Sequence, residues 1–191
     1  MAQQPYQTLE RKARLFATRA HQGQVREGKS HLPYITHPAA VVRMLKKAGI
    51  TDQDILSAAW LHDVMEDCGI QYGTILGQFN EHIADMVQVL TRVKGFDDRL
   101  DYLIRIQKAS PEVQLIKIAD VLHNIRTLEK GFSREKWDRK YYATKWVYYP
   151  ITRKLCSEEV VDLDWAVRLD LNIQYMEHYL NCLDKEKKTD A

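Results

Sequence analysis

The sequence predicts an all-α fold, and three observations carry that expectation. Glycine and proline are scarce, with 8 and 5 among 191 residues, whereas a β-sandwich or barrel needs a turn about every ten residues. Apolar residues recur at three- and four-residue spacing along most of the chain, the period of a helix that buries one face. The composition, 45% hydrophobic and 28% charged, is that of an ordinary globular protein able to bury a core without disulfides or a structural metal. The expected organisation is a single domain over residues 1–191 with about nine helices.

The elements follow in order. Leu9, Ala13, Phe16, Ala17 and Ala20 mark an amphipathic first helix. Residues 22–36, with Gly23, Gly28 and Pro33, read as a loop. His37-Pro38 opens a second helix, whose apolar face carries Val41, Leu45 and Ala48 and which Gly49 ends. Thr51 can cap a third helix running through Ile55, Ala58, Ala59 and Leu61 towards Gly69. Helices over residues 72–79 and 81–93 follow, and Leu100, Leu103, Ile104 and Ile106 mark a sixth. Ser110-Pro111-Glu112 supplies a cap, a first-turn proline and an acid at the positive end of the dipole. That seventh helix turns Leu115, Ile118, Ala119, Leu122 and Ile125 inward and stops at Gly131. Two long helices, over 134–155 and 157–183, and a charged tail complete the chain.

Several function classes are disfavoured at once. The balance of 28 basic and 26 acidic residues lacks the basic excess of a dedicated nucleic-acid binder. Cys68, Cys156 and Cys182 are far apart and odd in number, so neither a disulfide framework nor a thiolate zinc site is expected. No apolar run reaches the length of a membrane span and the N-terminus has no apolar signal core, which places the protein in the cytoplasm with no membrane partner. The aromatics Trp137, Tyr141, Tyr142, Trp146 and Tyr149, interleaved with basic residues, read as a buried helical stripe before they read as a nucleic-acid surface.

The chemistry concentrates elsewhere. In Leu61-His62-Asp63-Val64-Met65-Glu66-Asp67, the four ionisable groups His62, Asp63, Glu66 and Asp67 fall within about 140° of one helical face. Such a stripe beside Ala58, Ala59 and Leu61 is costly to bury unless a divalent cation compensates it; a solvated helix face is the alternative. Asp120 lies among Ile118, Ala119, Val121 and Leu122, where a carboxylate calls for a cation or an ion-pair partner such as Lys117. His37, His62, Asp63 and Asp120 together make a mixed nitrogen and oxygen donor set suited to six-coordinate Mn²⁺, Fe²⁺ or Zn²⁺ with open positions.

The pattern His37…His62-Asp63…Asp120 resembles the ligand set of the HD-domain metal phosphohydrolases, and within them the hydrolase domain of the RelA/SpoT-type alarmone enzymes and the small stand-alone alarmone hydrolases. The matching blocks are residues 20–26, 33–38, 61–67 and 117–128, within a core of about residues 10–130, followed by a helical extension over about 134–183. The resemblance implies one Mn²⁺, with Fe²⁺ or Zn²⁺ also fitting, held by His37, His62, Asp63 and Asp120. It implies that Glu66 and Asp67 orient and deprotonate the attacking water, that Arg26 packs on the nucleotide, and that Asn124 and Thr127 face the nucleoside. The implied reaction is hydrolysis of the 3′-diphosphate of (p)ppGpp or (p)ppApp to pyrophosphate and a nucleoside 5′-di- or triphosphate, by a monomer or homodimer. The family's usual lysine after the arginine is here Glu27, and Lys29 or His31 in the same loop could supply the missing charge. That departure leaves guanine and adenine both open as the base. Hydrolysis of another phosphomonoester or cyclic nucleotide, and nucleotide binding without turnover, are the alternative readings.

Overall fold

A computed structural model of the chain describes residues 8–27, 31–93, 98–127 and 132–189. These form eleven α-helices and one π-helical turn. Extended pairing among the described residues is confined to one isolated antiparallel bridge, Val25 with Pro33. The all-α expectation holds. The chain divides into two compact units, Met1–Asp120 and Val121–Ala191. Among the described residues no helix is long and apolar enough to cross a membrane.

The first unit contains α1 (Leu9–Ala20), α2 (Thr36–Lys47), α3 (Gln53–Leu61), α4 (Val64–Cys68), α5 (Tyr72–Gln78), α6 (Glu81–Leu90), α7 (Arg99–Lys108) and the start of α8 (Pro111–Arg126). Local chemistry fixes the helix starts. Thr8 accepts from the Arg11 N–H ahead of α1, Asn80 from Ile83 ahead of α6, and Asp98 from Leu100 ahead of α7; each such cap stabilises its helix by about 1 kcal/mol. Ahead of α3 the cap is Asp52, not Thr51, because its carboxylate accepts from both Asp54 and Ile55. Gly49 (φ +85°) and Gly69 (φ +67°) turn the chain out of α2 and α4 through the left-handed region that side chains avoid.

The core of this unit is α3, with Leu56 to Leu61 all buried. It packs against α1, α2 and α6, which bury Ala13 and Ala17, Val41 and Leu45, and Ile83 and Val87. Small residues on α1 and α3 let those helices approach closely.

The second unit holds the end of α8, then α9 (Arg134–Ala143), a π-turn (Thr144–Tyr148), α10 (Tyr149–Ser157) and α11 (Leu163–Thr189). The sequence-predicted end of the seventh helix at Gly131 lies outside the described residues. Helix α11 begins six residues later than the sequence suggested and stays helical to Thr189, through most of the charged tail. The aromatic stripe is also revised. Trp137, Tyr141 and Tyr148 are buried, whereas Tyr142 and Trp146 are exposed. Helical spacing counted from Trp137 and Tyr141 selects Thr144, Tyr148, Ile151 and Leu155, all buried, and passes over the intervening aromatics.

Candidate metal centre

The His62-Asp63 pair does not lie within a continuous helix. Helix α3 ends at Leu61, α4 starts at Val64, and Asp63 opens the turn between them at φ −104°, ψ −5°. The break has a geometric consequence. Adjacent residues of an α-helix point about 100° apart, but here His62 Nε2 and Asp63 Oδ2 converge to 3.0 Å. His37 reaches the same point from the first turn of α2, and Asp120 reaches it from α8.

The donors are close together. His37 Nε2 lies 3.0 Å from Asp120 Oδ1, 3.2 Å from His62 Nε2 and 3.5 Å from Asp63 Oδ2. His62 Nε2 is 3.9 Å from Asp120 Oδ1. Ligand atoms held about 2.1 Å from one ion at right angles would be about 3.0 Å apart. His37, His62 and Asp120 are each less than 5% exposed. The four residues read from the sequence are thus brought close by three segments of the first unit, α2, the turn between α3 and α4, and α8.

Orientation and electrostatics suit a cation. His62 Nδ1–H donates to the Ala59 carbonyl at 2.8 Å, which fixes the ring and leaves Nε2 to face the cluster as a donor atom. Burial opposes a charge on His62, yet the carboxylates of Asp63 and Asp120 outweigh it and push the imidazole up to about 9. Burial also works against ionising the two acids, but His62 holds Asp63 below the usual carboxylate range, and Lys117 and His37 hold Asp120 well below it. His37, dominated by burial, is shifted down towards its neutral form. Without metal the cluster therefore balances the buried Asp120 and the partly exposed Asp63 with a proton on His62 and with Lys117, whose Nζ sits 2.8 Å from Asp120 Oδ2. A divalent cation would take over the role of that proton. His37, His62 and Asp63 form a group that can hold such an ion, and Asp120 Oδ1 lies within 3.9 Å of both histidine Nε2 atoms.

Tyr34, which sequence reasoning missed as a site residue, ties the centre to Asp67. Its hydroxyl is shared between Asp63 Oδ2 at 2.7 Å and Asp67 Oδ2 at 2.8 Å. Burial, then the two carboxylates, push its pKa far above the phenol's own, so it stays a donor. The ring stacks on His21 at 4.6 Å, and the Arg26 guanidinium lies 5.5 Å over it. His21 is fixed in turn by Gln24 at 2.8 Å and Cys68 at 3.2 Å. The signal for Tyr34 was an aromatic in the Pro33-to-Pro38 block; its partners, 29 and 33 residues away, were not legible locally.

The remaining sequence-derived site residues are placed as follows. Glu66 accepts from the Arg92 backbone N–H at 3.1 Å. Arg26 is held by its own N–H to the Leu32 carbonyl, at the mouth of the Val25–Pro33 bridge. Asn124 and Thr127 belong to the second unit, where the Thr127 hydroxyl donates back to helix carbonyls of His123 and Asn124. Lys29 lies outside the described residues. Beyond that set, Tyr102 is buried, with its hydroxyl donating to the Leu90 carbonyl and Lys117 over its ring.

Comparison with known proteins bears on the same centre. The family model described as HD domain matches residues 13–156. The chain is 32% identical over 171 residues to the probable guanosine-3′,5′-bis(diphosphate) 3′-pyrophosphohydrolase of Synechocystis, an alignment covering 85% of this chain and 21% of that protein. It is 35% identical over 119 residues to the human guanosine-3′,5′-bis(diphosphate) 3′-pyrophosphohydrolase MESH1, covering 60% of this chain and 66% of that one. The chain thus spans about a fifth of the length of the bacterial relative. Among solved structures, a metazoan ortholog of SpoT, described as hydrolysing ppGpp and playing a role in starvation responses, superposes with a TM-score of 0.76 at 25% identity, over 91% of this chain and 98% of that one. With its His and Asp donors gathered at one point and three-quarters of its length matched, the chain belongs to the HD-domain family.

Proposed function

We propose that this chain is a metal-dependent hydrolase of the 3′-diphosphate of a nucleotide alarmone, (p)ppGpp or (p)ppApp, with Mn²⁺ as the working ion. The convergence of His37, His62, Asp63 and Asp120, with Asp67 tethered to Asp63 through Tyr34, carries the reading. The relatives named for ppGpp hydrolysis support the substrate class.

In this reading His37, His62, Asp63 and Asp120 hold the cation. When bound, the ion lowers the pKa of a water and offsets charge developing on the phosphoryl oxygens. Asp67, a carboxylate held by the Tyr34 hydroxyl, receives the proton of the attacking water, and Glu66 helps orient that water. The water oxygen bonds to the phosphorus attached to ribose O3′. The O3′–P bond breaks, O3′ takes up a proton, and pyrophosphate and a nucleoside 5′-di- or triphosphate leave. Arg26, already stacked on Tyr34, presents a planar guanidinium to the base or a phosphate.

Chromatography of products from ppGpp and ppApp, with Mn²⁺ and then with EDTA, tests the proposal. Metal-dependent release of pyrophosphate is expected, and the faster substrate reports what Glu27 does to base choice. No pyrophosphate from either substrate, or release unaffected by EDTA, overturns the reading.

A further inference from the structure

A second polar feature of the first unit lies apart from the metal ligands. Helices α1 and α2, floored by α3, border an open surface pocket of about 510 Å³ that none of the metal-centre residues lines. Arg11, Arg14, Arg43 and Lys46 converge on it, against a single carboxylate, Glu10. Glu10 is already engaged, with Lys46 Nζ at 2.7 Å and the Trp60 indole N–H at 3.4 Å. The guanidinium groups of Arg11, Arg14 and Arg43 have no hydrogen-bond or ion-pair partner among the described residues.

Three unpaired guanidiniums in one concavity repel one another, and low-dielectric walls focus their field outward. The chain as a whole carries only +2, so this excess is local and not a share of a generally basic surface. An anion is the compensating partner, and arginine forks match phosphate oxygens two at a time. The volume is that of a site for an organic ligand and far exceeds one phosphate. Val42 and Trp60 also line it, each with only a small edge exposed.

We propose that this pocket is a second ligand site, for a nucleoside di- or triphosphate, with the phosphates on Arg11, Arg14 and Arg43 and the nucleoside in the remaining volume. The site stands independently of the reaction proposed for the metal centre.

Titrating the full chain with GDP in EDTA, followed by ¹H–¹⁵N NMR, tests it, because EDTA prevents turnover and the Trp60 indole N–H reports from within the pocket. A saturable shift of that signal is expected. The exposed-residue double variant Arg14→Gln/Arg43→Gln should weaken GDP at least about tenfold, as loss of charged hydrogen bonds implies. Inorganic pyrophosphate should bind more weakly than GDP, because it leaves most of the pocket volume unfilled. A Trp60 signal unmoved by GDP overturns the proposal on the wild-type chain alone, whatever the variant does. Equal binding by the double variant, or pyrophosphate binding at least as tightly as GDP, overturns it too.

Discussion

The two units of the chain bury different things. Every buried histidine or carboxylate among the described residues, His21, His37, His62 and Asp120, lies in the first unit. Among the described residues of the second, the buried non-aromatic polar side chains are Thr144 and Thr152, and each hydroxyl donates to the carbonyl four residues earlier, on Lys140 and Tyr148. Its interior is an aromatic and aliphatic seam in which the buried Trp137 packs on Tyr179 at 4.4 Å. Burial of charge costs stability unless something compensates it. The first unit bears that cost where its imidazoles and carboxylates meet, which is what a site requires; the second is built as stable packing. The contrast predicts that mutations in the two units fail in different ways.

The largest effects should separate cleanly. Asp63→Ala should lower kcat by more than about 100-fold, since even the outer partners of metal ligands typically cost 10–100-fold. The protein should stay folded by circular dichroism, because Asp63 is the least buried of the ligands. Trp137→Ala, at a fully buried position, should cost about 3–5 kcal/mol in urea denaturation. Assayed in the absence of denaturant, its folded fraction should retain its kcat. A Trp137→Ala protein with normal stability, or an Asp63→Ala protein with normal kcat, would break the division of labour.

Lys117→Met sharpens the same point within the first unit. Lys117 is largely buried and sits against Asp120, and removing one partner of a buried pair costs about 3–5 kcal/mol. The loss should be greatest in EDTA and smaller with Mn²⁺ present, because the cation compensates the carboxylate that lysine leaves. Paired denaturation curves with and without metal read this directly. Equal losses in both would mean that Asp120 is compensated by lysine alone.

Tyr34→Phe should come next. It deletes only the hydroxyl shared by Asp63 and Asp67 and keeps the ring between His21 and Arg26. Metal affinity or kcat should fall about 10–100-fold with little change in melting temperature.

The two regions also differed in how far they could be read in advance. The all-α class followed from periodicity and the scarcity of turn residues, and the four ligands followed from their residue types in apolar surroundings. The helix break at His62-Asp63 was not legible, because no glycine or proline marks it; it is the price of bringing adjacent donors to one point. Tyr34 was missed for a related reason, since its partners lie on distant segments. Asp52 replaced Thr51 as cap because two N–H groups lie within reach of its carboxylate. In the second unit, residue identity misled where period would have served. Tyr142 and Trp146 were counted into the buried stripe as aromatics, although helical spacing from Trp137 assigns the inner positions to Thr144 and Tyr148.

The smallest effect is the most pointed test of the contrast. Lys145 in the second unit is, on paper, a counterpart of Lys117: an amine near an aromatic ring, paired with a carboxylate. Its Nζ lies 2.7 Å from the Tyr141 hydroxyl and 3.4 Å from Glu177 Oε1, and the Tyr141 hydroxyl itself donates to Glu177 at 2.7 Å. Both charged groups are open to solvent, so water already compensates each, and salt screens what remains. The partners raise the lysine and lower the glutamate, as they would for any attracted pair, but at an exposed site that attraction is not a measure of stability. Lys145→Met should therefore leave the denaturation midpoint unchanged within error, with and without Mn²⁺, where Lys117→Met moves it in both and by different amounts. A Lys145→Met loss comparable to that of Lys117→Met would show that the lysines are equivalent and that burial is not what distinguishes the two units.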